Sequence, residues 1–164
     1  MVSRAALFVL VVSSGLLAHG APETRELRLQ VAGKRVEGLL VIRVPPATAR
    51  LLFAAPPERA TARIDSLSLR LAPSALRGLR LGGRAPRLLE GKARLTPEQG
   101  VEAALLIDAD FKDELLIEGA LPVLFVAPRG RELRLVSGPG RAVEEGLELH
   151  PRTDLPCRVR VVRP

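Results

Sequence analysis

The sequence has no tryptophan, tyrosine or asparagine, and its 164 residues include one cysteine, two histidines and four phenylalanines. The single cysteine, Cys157, excludes an intramolecular disulfide. So few histidines and cysteines cannot complete a tetrahedral zinc site without carboxylate ligands. The absence of tryptophan and tyrosine disfavours carbohydrate recognition, and the scarcity of aromatic rings disfavours single-stranded nucleic-acid binding. We therefore predict no metal, no cofactor and no nucleic-acid partner.

Catalytic motifs are also missing from the sequence. No Gly-x-Ser-x-Gly elbow exposes a serine nucleophile. His150 and Cys157 could supply the histidine and the thiol of a catalytic pair, but the residues around Cys157 match no local signature of a thiol enzyme. Gly78, Gly82 and Gly83 match neither phosphate-loop nor dinucleotide-loop spacing. The sequence therefore predicts a protein that is not an enzyme, with no catalytic residues.

The first twenty residues have the layout of a secretory signal peptide. Arg4 supplies a positive charge, Ala5–Leu17 is mainly apolar, and the small residues Ala18 and Gly20 precede Ala21. The apolar run is shorter than the about 20 residues that a helix needs to cross a bilayer. An uncleaved membrane anchor is the alternative interpretation.

Cleavage between Gly20 and Ala21 would leave one domain over residues 21–164. No later apolar run is long enough to predict a membrane span. We expect a secreted or periplasmic protein, with residues 1–20 as its signal peptide.

The chain is strongly basic, with 25 Lys and Arg residues against 18 Asp and Glu residues and a net charge of +7. Such a charge favours anionic partners, although it also serves solubility alone. Arg158, Arg160 and Arg163 form a basic tail, and Arg158 and Arg160 share one face of a strand predicted over Cys157–Val162. These three arginines are the predicted anion-contacting residues.

Apolar residues alternate with polar ones over most of the chain after the leader. Residues 27–31 and 36–44 each show period two, and the short gap between them contains Gly33. This pattern predicts a β-hairpin. Leu39 and Val41 add apolar side chains to the opposite face, so we expect the second strand to be covered on both sides.

The middle of the chain is harder to interpret. Residues 47–55 suit either a helix or a strand, and Pro46 could open a helix. The alternation of Leu67, Leu69 and Leu71 predicts a strand.

Residues near Thr96 fit two structures. Thr96, Pro97 and Gln99 suit the cap, first turn and capping box of a helix. We therefore predict a short helix over residues 97–107. Period two over residues 101–111 favours a strand instead, with a hairpin turn before it.

The remaining strands lead to the fold class. We predict a hairpin in which residues 123–127 and 133–135 pair through a turn containing Pro128 and Gly130. Further strands are predicted at 89–95, 115–119, 147–149 and 157–162. The sequence thus predicts a mainly β protein, as an antiparallel sandwich, small barrel or curved sheet, with one or two short helices; an α+β fold is the alternative.

One segment is dense in carboxylates: Asp108, Asp110, Asp113 and Glu114. Calcium would need several converging oxygens, but Lys112 occupies a ligand position and the glycine of a calcium loop is missing. We interpret the segment as a solvated helix end or turn rather than a cation site.

Three functions follow, in decreasing order of support. The first is an exported, non-catalytic protein that binds another envelope protein or an anionic envelope component. The second is a carrier of an apolar ligand such as a lipid, suggested by strands that are apolar on both faces near residues 39–44 and 115–117. The third is a hydrolase that uses the acidic segment.

Overall fold

The computed structural model describes residues 23–53, 60–98 and 100–162. The helices are α1 (Pro46–Phe53) and α2 (Ala60–Ala75). The strands are β1 (Thr24–Ala32), β2 (Arg35–Val44), β3 (Arg80–Leu81), β4 (Arg87–Leu95), β5 (Val101–Asp110), β6 (Glu114–Glu118), β7 (Val123–Val126), β8 (Glu132–Ser137), β9 (Gly140–Val143), β10 (Gly146–Leu149) and β11 (Cys157–Val162). The predicted signal peptide and Arg163 lie outside the described residues.

Two sheets make up the fold, which confirms the mainly β prediction. Seven strands lie in the order β4-β5-β2-β1-β7-β10-β9, and four lie in the order β3-β6-β11-β8. Neither of these described sheets closes into a barrel. Strand pairs are antiparallel except for β1 and β7, which run parallel.

The core fills the inner face of the seven-stranded sheet. One row across it joins Ile107, Gly38, Leu29, Phe125 and Leu147 through direct cross-strand pairing. A Cβ on Gly38 would come within 2.9 Å of the side chains of Ile107 and Leu29, so only glycine fits there. Residues from both sheets join the same buried cluster. The inner faces are therefore packed against protein.

The predicted hairpin of β1 and β2 is confirmed, but the prediction that β2 is covered on both sides is wrong. Residues Arg35 to Arg43 are paired antiparallel with β1, and alternate side chains from Val36 to Val44 are buried. On the opposite face Leu39 is 42% exposed and Val41 is half-buried. The outer face of β2 is therefore only partly covered.

The prediction of a strand around Leu67 to Leu71 is also wrong, because these residues lie in α2. Leu67 and Leu71 are buried at helical spacing, whereas Leu69 is 56% exposed. The helix packs on β4 and β5. For the ambiguous segment before it, the helical alternative is confirmed, and α1 begins at Pro46.

The helix predicted over residues 97–107 is replaced by the alternative, a hairpin turn followed by a strand. The Thr96 amide donates to the Gly100 carbonyl at 2.9 Å, and the Gly100 amide donates to Thr96 Oγ1 at 3.1 Å. The hydroxyl that suits a helix cap therefore closes the turn between β4 and β5. Period two in β5 buries Val101, Ala103 and Leu105.

The predicted hairpin over residues 123–135 is wrong in its pairing, although both strands exist. β7 pairs with β1 and β10, whereas β8 pairs with β11 in the other sheet. The turn is present, since the Arg131 amide donates to the Pro128 carbonyl at 3.1 Å. This turn connects a strand of one sheet to a strand of the other. The alternation of apolar residues within a strand does not specify which sheet the strand joins.

Candidate functional site

A half-open cleft of about 530 Å³ lies where the end of β5 meets the turn between β3 and β4. Its apolar lining includes Leu81, Ala85 and Ala109. Its charged lining consists of Arg84, Arg87, Asp108, Asp110, Lys112 and Glu114. The predicted acidic segment thus contributes three of its four carboxylates to one concave surface.

Strand register places two arginines around Asp108. Arg87 on β4 lies directly opposite Asp108, and Arg35 on β2 lies opposite Asp110, two residues further along β5. Both arginine side chains are about half exposed, whereas the Asp108 side chain is 1% exposed. The prediction that the segment is a solvated helix end or turn is therefore wrong for Asp108, which lies in a strand and is buried.

The Asp108 carboxylate is fully engaged by these arginines. Arg87 Nε donates to Oδ1 at 2.7 Å, and Arg87 Nη2 donates to Oδ2 at 3.1 Å. Arg35 Nη1 donates to Oδ2 at 2.7 Å. The pKa of Asp108 lies below its usual value despite burial. The largest cause is hydrogen bonding from Arg87, and the charges of both guanidinium groups lower the pKa further. The same contacts raise the pKa of Arg87.

Arg87 also spans the two aspartates of the cleft. Its Nη2 donates to Asp110 Oδ1 at 3.2 Å. The hydrogen bonds from Arg87 to the two aspartates are donated by Nε and Nη2, and Nη1 takes part in none of them. Bidentate contact with a buried carboxylate fixes the plane of the guanidinium. Arg87 is thus a pre-oriented cation at the edge of the cleft.

Glu114 joins the predicted acidic segment to the predicted basic tail. Arg160 Nη2 donates to Glu114 Oε2 at 2.7 Å, and Arg158 Nη1 donates to Oε1 at 3.1 Å. The contacts form because β11 pairs antiparallel with β6. The hydrogen bonds of Arg160 and then Arg158 lower the pKa of Glu114. Asp113 has an exposed side chain, and its carbonyl accepts from the Val161 amide at 3.0 Å.

Two cations of the cleft differ from these pairs. No carboxylate in the described part of the chain lies within 4.0 Å of Arg84 or Lys112. Arg84 follows a tight turn that the Leu81 amide closes on the Arg84 carbonyl at 2.8 Å. The Gly82 amide ties this turn to Leu116 of β6 at 2.8 Å. The backbone of Arg84 is thus fixed by hydrogen bonds, and both Arg84 and Lys112 are exposed.

Sequence reasoning did not identify Arg35, Arg84 and Arg87 as site residues. Arg87 and Arg35 reach Asp108 only through the register of three strands. A glycine pair before Arg84 indicates a turn, but it gives no information about the surface that the turn faces.

The remaining polar candidates lie apart from the lining of the cleft. His150 Nε2 lies 3.3 Å from Glu148 Oε1, and the His150 side chain is 54% exposed. Cys157 is buried, and its Sγ donates to the Pro139 carbonyl at 3.2 Å. Burial raises the pKa of the Cys157 thiol, which opposes thiolate formation.

The chain matches no protein-family model, and no curated protein is similar to it in sequence. Neither helix in the described ranges is long and apolar enough to cross a membrane. Within those ranges no three His, Cys, Asp or Glu side chains are grouped so that they could hold a metal ion.

Proposed function

We propose that this chain is an exported, non-catalytic protein that binds an anionic component of the cell envelope at the cleft. One observation carries the proposal: each of the three cleft carboxylates is paired with arginine, whereas Arg84 and Lys112 have no carboxylate partner among the described residues. The cleft therefore offers positive charge that the protein itself does not neutralise.

The arrangement suits a carboxylate or phosphate group. Arg84 and Lys112 supply charge, and Arg87 supplies a guanidinium that Asp108 already orients. A pre-oriented arginine loses less side-chain entropy when it binds an anion. Ala85, which is exposed, adds apolar surface for the adjoining part of the ligand.

A binding role is favoured over acid–base catalysis. A general acid at neutral pH needs a carboxyl group with a raised pKa. Asp108 and Glu114 have lowered pKa values, and their oxygens already accept hydrogen bonds from arginine. These properties support a structural role for the carboxylates, which position cations.

No observation favours the apolar carrier. The inner face around Leu29 and Phe125 is packed, and the open face around Leu39 carries ion pairs beside its apolar side chains. Exposure of Leu39 also removes one reason for expecting two apolar faces on β2.

Export depends on residues 1–20, which lie outside the described structure. Mass spectrometry of the protein recovered from the producing cells tests it. A chain beginning at Ala21 supports export, whereas an intact Met1 contradicts it.

Binding is tested by titrating the purified protein with inorganic phosphate and with acetate, and by sedimentation with phosphatidylglycerol-containing vesicles. The site variant is Arg84→Gln/Lys112→Gln. The matched control is Arg129→Gln/Arg131→Gln, which removes the same charge from the exposed segment between β7 and β8.

We expect the wild-type protein and the control to bind, and the site variant to bind at least about tenfold more weakly, a difference of about 1.4 kcal/mol. Salt should weaken binding because both cations are exposed. Binding of free phosphate or acetate would indicate a small ligand, and binding of vesicles alone would indicate a membrane surface. Equal binding by both variants, or no binding at low salt, would contradict the proposal.

A further inference from the structure

The β4 strand forms one edge of the seven-stranded sheet and is nine residues long. An edge strand presents backbone N–H and C=O groups that can pair with another chain. Exposed large hydrophobic residues concentrate here: Leu89 is 53% exposed, Leu95 is 52% exposed, and Leu69 on the covering helix α2 is 56% exposed. Only Leu39, Val136 and Leu155 share this property elsewhere in the described chain.

The charges of β4 are self-complementary. Glu90 and Lys92 lie opposite Leu106 and Ala104 of β5, so both point to the open face of the sheet. Lys92 Nζ lies 2.9 Å from Glu90 Oε1. Gly91 lies between them and faces α2.

We propose that β4 pairs antiparallel with β4 of a second copy of this chain, centred on Gly91. In this register Glu90 of each copy lies opposite Lys92 of the other, because residues that are equally far from the centre face each other. Opposite charges directly across two strands stabilise their pairing. The same register places Leu89 opposite Ala93.

The strand also carries features that restrict pairing. Lysine and bulges commonly protect sheet edges, and β4 has Lys92 and a register shift between Leu88 and Glu90. A pairing centred on Lys92 would bring two lysines directly together. The charges therefore favour the register centred on Gly91 over the register centred on Lys92. Glu90 and Lys92 are not part of the cleft lining, so substitutions at these two positions test the pairing separately from the proposed function.

The test uses sedimentation velocity of the purified protein over a concentration series. Glu90→Lys and Lys92→Glu are compared with Glu144→Lys and Arg129→Glu, which change charge at exposed positions outside β4. We expect the wild type and both controls to dimerise. Each β4 variant alone places like charges opposite each other and should be monomeric.

An equimolar mixture of the two β4 variants provides the decisive measurement. It places lysines of one chain opposite glutamates of the other, so it should restore the dimer. Restoration also shows that both variants fold. A monomeric wild type at every concentration, dimers of either variant alone, or a mixture that stays monomeric would overturn the proposal.

Discussion

Gly91 of β4 lies directly under Ser68 of α2, so closely that a Cβ on Gly91 would be 2.8 Å from Ser68 Oγ. Ser68 is completely buried. The helix can therefore approach the sheet at this point only because residue 91 has no side chain. This contact fixes the position of α2 over β4.

We expect Gly91→Ala to destabilise the protein by about 1–3 kcal/mol, since added volume at a close-packed contact forces the helix away. Urea unfolding measures the change. Ser68→Ala removes the nearest atom, so the double variant Ser68→Ala/Gly91→Ala should lose less stability than the two single losses combined. A Gly91→Ala protein as stable as the wild type would contradict the close contact.

Stability should fall in acid because of the lowered pKa values of Asp108 and Glu114. In the unfolded chain such groups titrate near about pH 4. Above that pH their paired, ionised forms stabilise the fold, and this contribution is lost as pH falls through the lower folded pKa. The urea midpoint measured across this range should therefore drop below about pH 4.

Asp108→Asn should reduce that acid-dependent drop. At neutral pH the variant should also be less stable by about 1–3 kcal/mol, because the charged hydrogen bonds to Arg87 and Arg35 are lost. Asp154→Asn is the matched control, since it makes the same substitution at a side chain that is 75% exposed. An unchanged acid profile in Asp108→Asn would exclude Asp108 as its source.

Cys157 should resist alkylation in the folded protein. Its thiol is buried and its pKa is raised, so little reactive thiolate is available. Iodoacetamide labelling followed by mass spectrometry should be at least about a hundredfold faster in denaturant, as expected when reaction needs unfolding. Equal rates in both conditions would show that the thiol is accessible in the fold.

The sequence predicts most strands correctly, because alternation follows directly from burial of one sheet face. It fails where one set of residues fits two periods. Leu67 and Leu71 fit both a strand and a helix, and only the contact with β4 decides between them. Thr96 similarly suits a helix cap or a hairpin turn, and the pairing of β5 with two neighbours selects the turn.

The site was predictable only as separate parts. The acidic segment and Arg158 and Arg160 stand out in the sequence, but their mutual pairing depends on β6 and β11 being neighbours. Arg87 is recognisable only once register places it against Asp108. Composition indicates an excess of cations, whereas the fold determines which cations already have acidic partners.

The position of β11 between β6 and β8 has a consequence for the order of folding. Synthesis proceeds from the N-terminus, so the ribosome delivers both neighbours before the strand that joins them. Until Cys157–Val162 has been synthesised, β6 and β8 have no strand between them through which they can be joined. β8 can therefore join the smaller sheet only after translation of that segment, whereas β3 can pair with β6, and β1 with β2, earlier.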